Sequence, residues 1–168
     1  APGPASGRAS CSLGVCTMNS NQKDLILDEF ERERDRNPAA QEFVARWEAE
    51  RDGLEEFFVK NLETIQGDER DVMFIATLYG PETPGGAVMQ RFGPINSQHG
   101  HRRLNVLFSR AKEKVVTFTS MKPGDVRATE QSAKGVRMFK AWLEYSASGL
   151  LPDNIGAGGS TESPFEDY

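Results

Sequence analysis

The stretch DVMFIATLY, residues 71–79, limits what this chain can fold into more than any other. Seven of its nine residues are apolar, and they do not alternate with polar ones. A strand with one solvated face alternates with a period of two, so an unbroken run calls for cover on both faces. EEFFVKNL (55–62) and CSLGVCTM (11–18) read the same way, and KVVTFTS (114–120) supplies a fourth strand. Between these runs the apolar period lengthens to that of a helix. Asn19, three residues before Gln22, is placed to cap a helix whose apolar face is Leu25, Ile26 and Phe30, and Asn37-Pro38 stops it. A second helix carries Phe43, Val44 and Trp47 on one side and ends near Gly53. Another runs through HRRLNVLFSRA (101–111), and KGVRMFKAWLEYSASG closes the set, with Val136, Phe139, Trp142, Leu143 and Tyr145 on its buried side. Strands alternating with helices predict an α/β domain built on a mainly parallel sheet flanked by helices. With 168 residues there is room for one such domain.

Charge is distributed unevenly. The net charge of −5 argues against a protein that coats nucleic acid over its whole surface. Residues 24–56 hold 12 acids and 5 bases, whereas residues 99–114 hold five bases and one acid, Glu113. A short basic feature on an acidic chain points to a local anion site. No apolar run approaches the ~18 residues of a membrane span. Cys11 and Cys16 are separated by an odd number of positions on or beside one strand, which sends their side chains to opposite faces and disfavours a disulfide. A reducing, cytoplasmic setting is the resulting expectation. His99 and His101 have no evident third ligand, so no metal site is expected.

Three segments fall outside the regular pattern. Residues 1–10, APGPASGRAS, read as a linker or chain end, and residues 150–168 as a Gly/Ser/Pro linker running into the start of a following domain. That divides the chain into 1–10, a domain over 11–149, and 150–168. Residues 80–98 carry three prolines and four glycines, too many for a regular element. A connection of that length inside a compact domain suggests function or mobility.

Two stretches hold the chemistry. In HRRLNVLFSRA, Leu104, Leu107, Phe108 and Ala111 have helical spacing for packing on a sheet, and Arg103 and Arg110 would lie along one flank, ~10 Å apart. A guanidinium at the border of a buried face is oriented yet reachable, as phosphate binding requires. The plainer reading is a pair of surface arginines tied to nearby acids. In NLETIQGDERDVMFI (61–75), a polar turn separates two strands: Gly67 frees the backbone, Gln66 can donate and accept, and Glu69 can accept from a ribose hydroxyl. Loops at the carboxyl ends of strands are where ligands sit in α/β sheets. A solvated acidic turn is the plainer reading here too.

Together, VKNLETIQGDERDVMFIA and RRLNVLFSRAKEKVVTF resemble motifs V and VI of the superfamily 1 helicases, in the branch of the nonsense-mediated-decay RNA helicase and its DNA-helicase relatives. LGVCTMNSNQKDLI is similar to that branch's motif IV, with Met18-Asn19 where the family more often has Pro-Tyr. The resemblance covers about residues 12–120, in the family's order. It implies the second, C-terminal RecA-like domain of a motor that hydrolyses ATP, with Mg²⁺, between two such domains. Arg110 matches the arginine finger. Gln66, Gly67, Glu69 and Arg103 match positions at the nucleotide, with Arg103 in a supporting role paired to an acid. The threonine that touches the nucleic-acid backbone falls at Asn61, with Thr64 beside it, and Thr17 and Asn19 stand on the motif IV side of that track. The implied partners are nucleic acid (DNA ahead of RNA), the N-terminal RecA-like domain of the same protein, and a nuclease-like domain after the motor. That last follows from SPFEDY, similar to the opening of such a domain in large bacterial helicases, a subgroup QRFGPIN also resembles.

No G-x-x-x-x-G-K-[ST] is present, and no acidic pair closes an apolar strand to hold Mg²⁺. The chain is therefore expected to lack its own phosphate cradle and to hydrolyse ATP negligibly alone. The rival expectation is a nucleic-acid-binding or protein-docking module with the same fold and no coupling to ATP.

Overall fold

A computed structural model describes residues 11–49 and 54–150. Four strands, β1 (Leu13–Thr17), β2 (Phe58–Asn61), β3 (Arg70–Ala76) and β4 (Ala111–Phe118), form one sheet in the order β2-β1-β3-β4. Every neighbouring pair is parallel. Helices α1 (Ser20–Arg36) and α2 (Pro38–Ala49) connect β1 to β2; α3 (Gly100–Phe108) connects β3 to β4, and α4 (Lys134–Ser148) follows β4. The parallel α/β architecture expected from the apolar runs is the one observed. The expected linker at 1–10, all but the first residue of the one expected at 150–168, and the helix end at Gly53 lie outside the described residues.

Sequence signals explain most boundaries. Asn19 caps α1, its Oδ1 accepting the Gln22 N–H at 2.9 Å, and Asn37 ends the helix before Pro38. Asn19→Ala should cost about 1 kcal/mol of stability, the usual value of an N-cap, read as a lowered urea midpoint with unchanged slope. Leu25, however, is 60% exposed, and α1 has no fully buried residue. Phe30 packs instead on Phe57, with ring centroids 4.3 Å apart.

The core lies on the α3–α4 side. Val136, Phe139, Trp142 and Leu143 are buried as expected, while Tyr145 is 41% exposed. Phe108 stacks on Trp142 at 3.7 Å and 8°. The connection 80–98 is not the open loop its composition suggests. Val88, Phe92 and Ile95 are buried, and Phe92 packs against both Tyr79 and Phe139 at 5.3 and 5.5 Å. Prolines and glycines bar regular structure, but they leave apolar side chains able to enter a core. A 3₁₀ turn over Gly93–Asn96 ends the segment.

Gly100 and Gly135 bring the first turns of α3 and α4 together over the Ile95 carbonyl. A Cβ at Gly100 would stand 2.1 Å from the Ile95 oxygen, and one at Gly135 would stand 2.3 Å from it. No disulfide links Cys11 and Cys16. Cys16 is buried in the sheet, and burial pushes its thiol up to about 12, which makes it a packing residue. Among the described residues no helix is long and apolar enough to cross a membrane.

Candidate nucleotide and nucleic-acid site

The candidate residues separate to the two ends of the sheet. Because all strands run the same way, Thr17 and Asn61 close the carboxyl ends of β1 and β2, whereas Glu69 and Arg110 stand just before β3 and β4, at the amino ends. This corrects the expectation that the QGDER turn sits at a carboxyl end. Residues 62–69 cross from the end of β2 over β1 to the start of β3, carried by buried Leu62 and Ile65. The crossover needs no helix because β2 is only four residues long. Gly67 takes a φ of 91° within it, a conformation that favours glycine.

Arg110 is not on a helix. α3 ends at Phe108 and Ala111 already belongs to β4, so the seven-residue helical spacing to Arg103 does not hold. The reason is local: Ser109 N–H bonds back to the Asn105 carbonyl at 3.1 Å, and Arg110 N–H to Leu107 at 3.2 Å, closing the last turn. The Arg110 carbonyl then accepts from Arg70 N–H at 3.1 Å, so the ladder joins the two motifs directly. The side chain is fixed from behind. Arg110 Nε donates to the Val106 carbonyl at 2.9 Å, and Nη2 to Ser109 Oγ at 3.1 Å, while Ser109 Oγ donates to the same carbonyl at 3.1 Å. Nη1 points toward Glu69, 4.0 Å from Oε1. Glu69 is 55% exposed, and an exposed pair at that distance is worth only ~0–1 kcal/mol. The guanidinium is thus held by its own helix end and weakly tethered on its outer side, an arrangement able to take a phosphate. Gln66 and Gly67 are exposed on the same turn.

Two residues that the sequence reading passed over build this corner. Arg70 is only 4% exposed. It donates Nε to the Glu56 carbonyl at 2.8 Å and Nη1 to the Glu69 carbonyl at 2.6 Å, and its guanidinium lies 4.6 Å over the Phe58 ring. Burial pulls its pKa down, opposed by the carboxylates of Asp68, Glu55, Glu56 and Asp71. Asp71 clamps the start of β1, its Oδ2 accepting from Ser12 N–H and Oγ, both at 2.8 Å. The fixed spacing of QGDERD contained a signal for Asp71. Nothing in the sequence marked Arg70, since a charged residue in a polar turn is usually solvated.

At the carboxyl end, Thr17 is fully buried and donates its hydroxyl to the Asn19 carbonyl at 2.7 Å. Asn61 is 5% exposed. Its Oδ1 accepts from Glu63 N–H, Thr64 N–H and Thr64 Oγ, each at 3.0 Å, and its Nδ2 donates to Ser20 Oγ at 2.8 Å. Thr17 and Asn61 shape the turn from inside and do not offer their side chains to a ligand. Thr64 is the exposed member of the group, and Asn19 spends its oxygen on capping α1. Arg103 sits in the first turn of α3, about the length of that helix from Arg110. Its polar contact among the described residues is the Ser97 hydroxyl at 3.3 Å, not an acid. Among the described residues no group of three or more His, Cys, Asp or Glu could hold a metal ion. The Arg110 guanidinium, braced through Nε and Nη2, has the chemistry to take a phosphate at Nη1.

The family described as "AAA domain" matches residues 4–122. The chain is 35% identical over 136 residues to an uncharacterized ATP-dependent helicase of Mycoplasma genitalium, and 34% identical over 136 residues to its homolog in Mycoplasma pneumoniae. Each match covers 80% of this chain and 11% of the relative, so the chain spans about a tenth of those proteins. No solved structure matches it.

Proposed function

Since the chain belongs to the AAA-domain family, as a C-terminal domain of the superfamily 1 helicase type, we propose that it is the second RecA-like motor domain of an ATP-dependent nucleic-acid helicase. Arg110 is its arginine finger, and the track is DNA. The observation that carries this reading is the mounting of Arg110: a guanidinium braced by Val106 and Ser109 at the amino edge of the sheet, with Nη1 directed outward.

ATP, when bound with Mg²⁺ by the first domain of the same protein, supplies the phosphoryl group that water attacks. Arg110 would offer Nη1 to the charge that develops on that group, with Nε and Nη2 already anchored. Glu69 holds Nη1 while no phosphate is near and exchanges it at small cost, since both partners remain partly solvated. Arg70 fixes the Glu69 carbonyl, and with it the turn bearing Gln66. Thr64 lies at the opposite end of the sheet, toward the nucleic acid. β3 and the crossover before it run between the two ends, and Arg70 at the start of β3 bonds to the Arg110 carbonyl.

The DNA assignment rests on the likeness of QRFGPIN and SPFEDY to large bacterial helicases in which a nuclease-like domain follows the motor. Equal stimulation of the full-length protein by single-stranded RNA and DNA would remove it. The isolated 168-residue chain has one side of a two-sided site, and its ATP turnover is expected to stay at background with or without oligonucleotide. Robust hydrolysis by the purified chain would overturn the half-site reading.

A further inference from the structure

The loops at the carboxyl ends of β3 and β4 carry a basic surface that none of the motif residues accounts for. Over residues 77–103 and 119–137 there are seven bases and three acids (Glu82, Asp125 and Glu130). These two segments are bound to each other. Gln90 donates Nε2 to the Asp125 carbonyl at 2.9 Å and accepts the Arg127 N–H at 2.7 Å. The clamp places Arg91, next to Gln90, and Arg127 on one shelf. Both are exposed, as are Lys122, Arg102, Lys134 and Arg137, and none is ion-paired among the described residues.

The helix starts add to the same field. α3 and α4 are parallel, and the Gly100–Gly135 contact sets their first turns side by side. Neither N-cap, His99 or Ala133, makes a side-chain capping bond, and neither first turn contains an acid. Two positive dipole ends therefore lie together, with Lys134 and Arg102 beside them. His101 registers the crowding: its pKa is pulled down by burial, then by Lys134, Arg102 and His99.

We propose that this shelf, centred on Arg91, Arg127 and Lys134, binds the sugar-phosphate backbone of a single nucleic-acid strand, extending the track beyond the β1–β2 end. The proposal rests on the helicase reading for its choice of partner. Charge complementarity supports it, because the acids of the chain are concentrated on the other half of the domain, in α1 and α2. Contact to phosphates, not bases, is what exposed arginines and lysines at the rim of a sheet provide.

The test is the salt dependence of binding. Titration of the 168-residue chain into a labelled single-stranded oligothymidylate at several salt concentrations gives a slope of log K against log salt. Each phosphate contact contributes about −0.7 to that slope for single strands. The triple variant Arg91→Gln, Arg127→Gln, Lys134→Gln should bind more weakly and flatten the slope by about 2. Its thermal midpoint should stay that of the parent, because all three side chains are exposed. An unchanged slope, no binding by the parent chain, or equal binding of a poly-glutamate peptide would overturn the shelf. Failure there leaves the ATPase reading intact, since that is judged by the turnover of the full-length protein and its Arg110 variants, at the opposite end of the sheet.

Discussion

Replacing Arg110 with alanine in the full-length protein is expected to lower nucleic-acid-stimulated ATP turnover by about 10³-fold or more, the range of an arginine finger. That loss corresponds to ~4 kcal/mol of transition-state stabilisation. Folding should survive, because the side chain is not in the core and its bonds run to a helix end and a serine. Oligonucleotide affinity should change little, because Arg110 is at the amino end of the sheet and the basic shelf is at the other. Arg110→Lys should recover only a small part of the rate: an ammonium keeps the charge but cannot donate backward to Val106 and outward to a phosphate together. Turnover within about threefold of the parent, roughly 0.6 kcal/mol, would remove Arg110 from the reaction. A domain with this fold but no ATP coupling would then be the better description.

The second large effect is on stability. Gly100→Ala places a methyl where 2.1 Å separates it from the Ile95 oxygen and 2.7 Å from the Ile95 carbonyl carbon. The obstacle is backbone, so no rotamer change relieves it, and either α3 or the Gly93–Asn96 turn must move. Overpacking of this kind costs about 1–3 kcal/mol, and the upper end applies where backbone meets Cβ. In a domain of this size that lowers the thermal midpoint by roughly 6–12 °C. Gly135→Ala meets the same oxygen at 2.3 Å and should behave alike. Gly124→Ala is the control: nothing lies within 4 Å of its Cβ position, and its midpoint should hold. Equal midpoints for Gly100→Ala and Gly124→Ala would show that the two helix starts are not in close contact.

These predictions depend differently on the sequence. Arg110 is singled out by its motif, but the helix expected to carry it stops two residues earlier. Periodicity could not see this, because Ala111 satisfies the helical apolar pattern equally well as the first residue of a strand. The role of Gly100 was invisible in the sequence. A glycine opening a helix needs no explanation until another glycine and a carbonyl are found against it. Arg70 is similar: its burial follows from a crossover that folds it over Phe58, between residues 12 positions apart in the chain.

What the sequence determined by itself was local and periodic. The unbroken apolar runs required strands covered on both faces, and hence parallel order. Asn19 and Asn37-Pro38 bounded α1, and the QGDERD and RRLNVLFSRA strings supplied the candidates for an anion site. Tertiary structure decided which end of the sheet each string occupies. It buried Thr17 and Asn61, recruited Phe92 and Ile95 from a Pro/Gly-rich connection into the core, and tied that connection to the segment after β4 through Gln90. The physical reason is that periodicity reports which residues must leave water, whereas the direction of a crossover and the meeting of two helix starts depend on packing between distant segments.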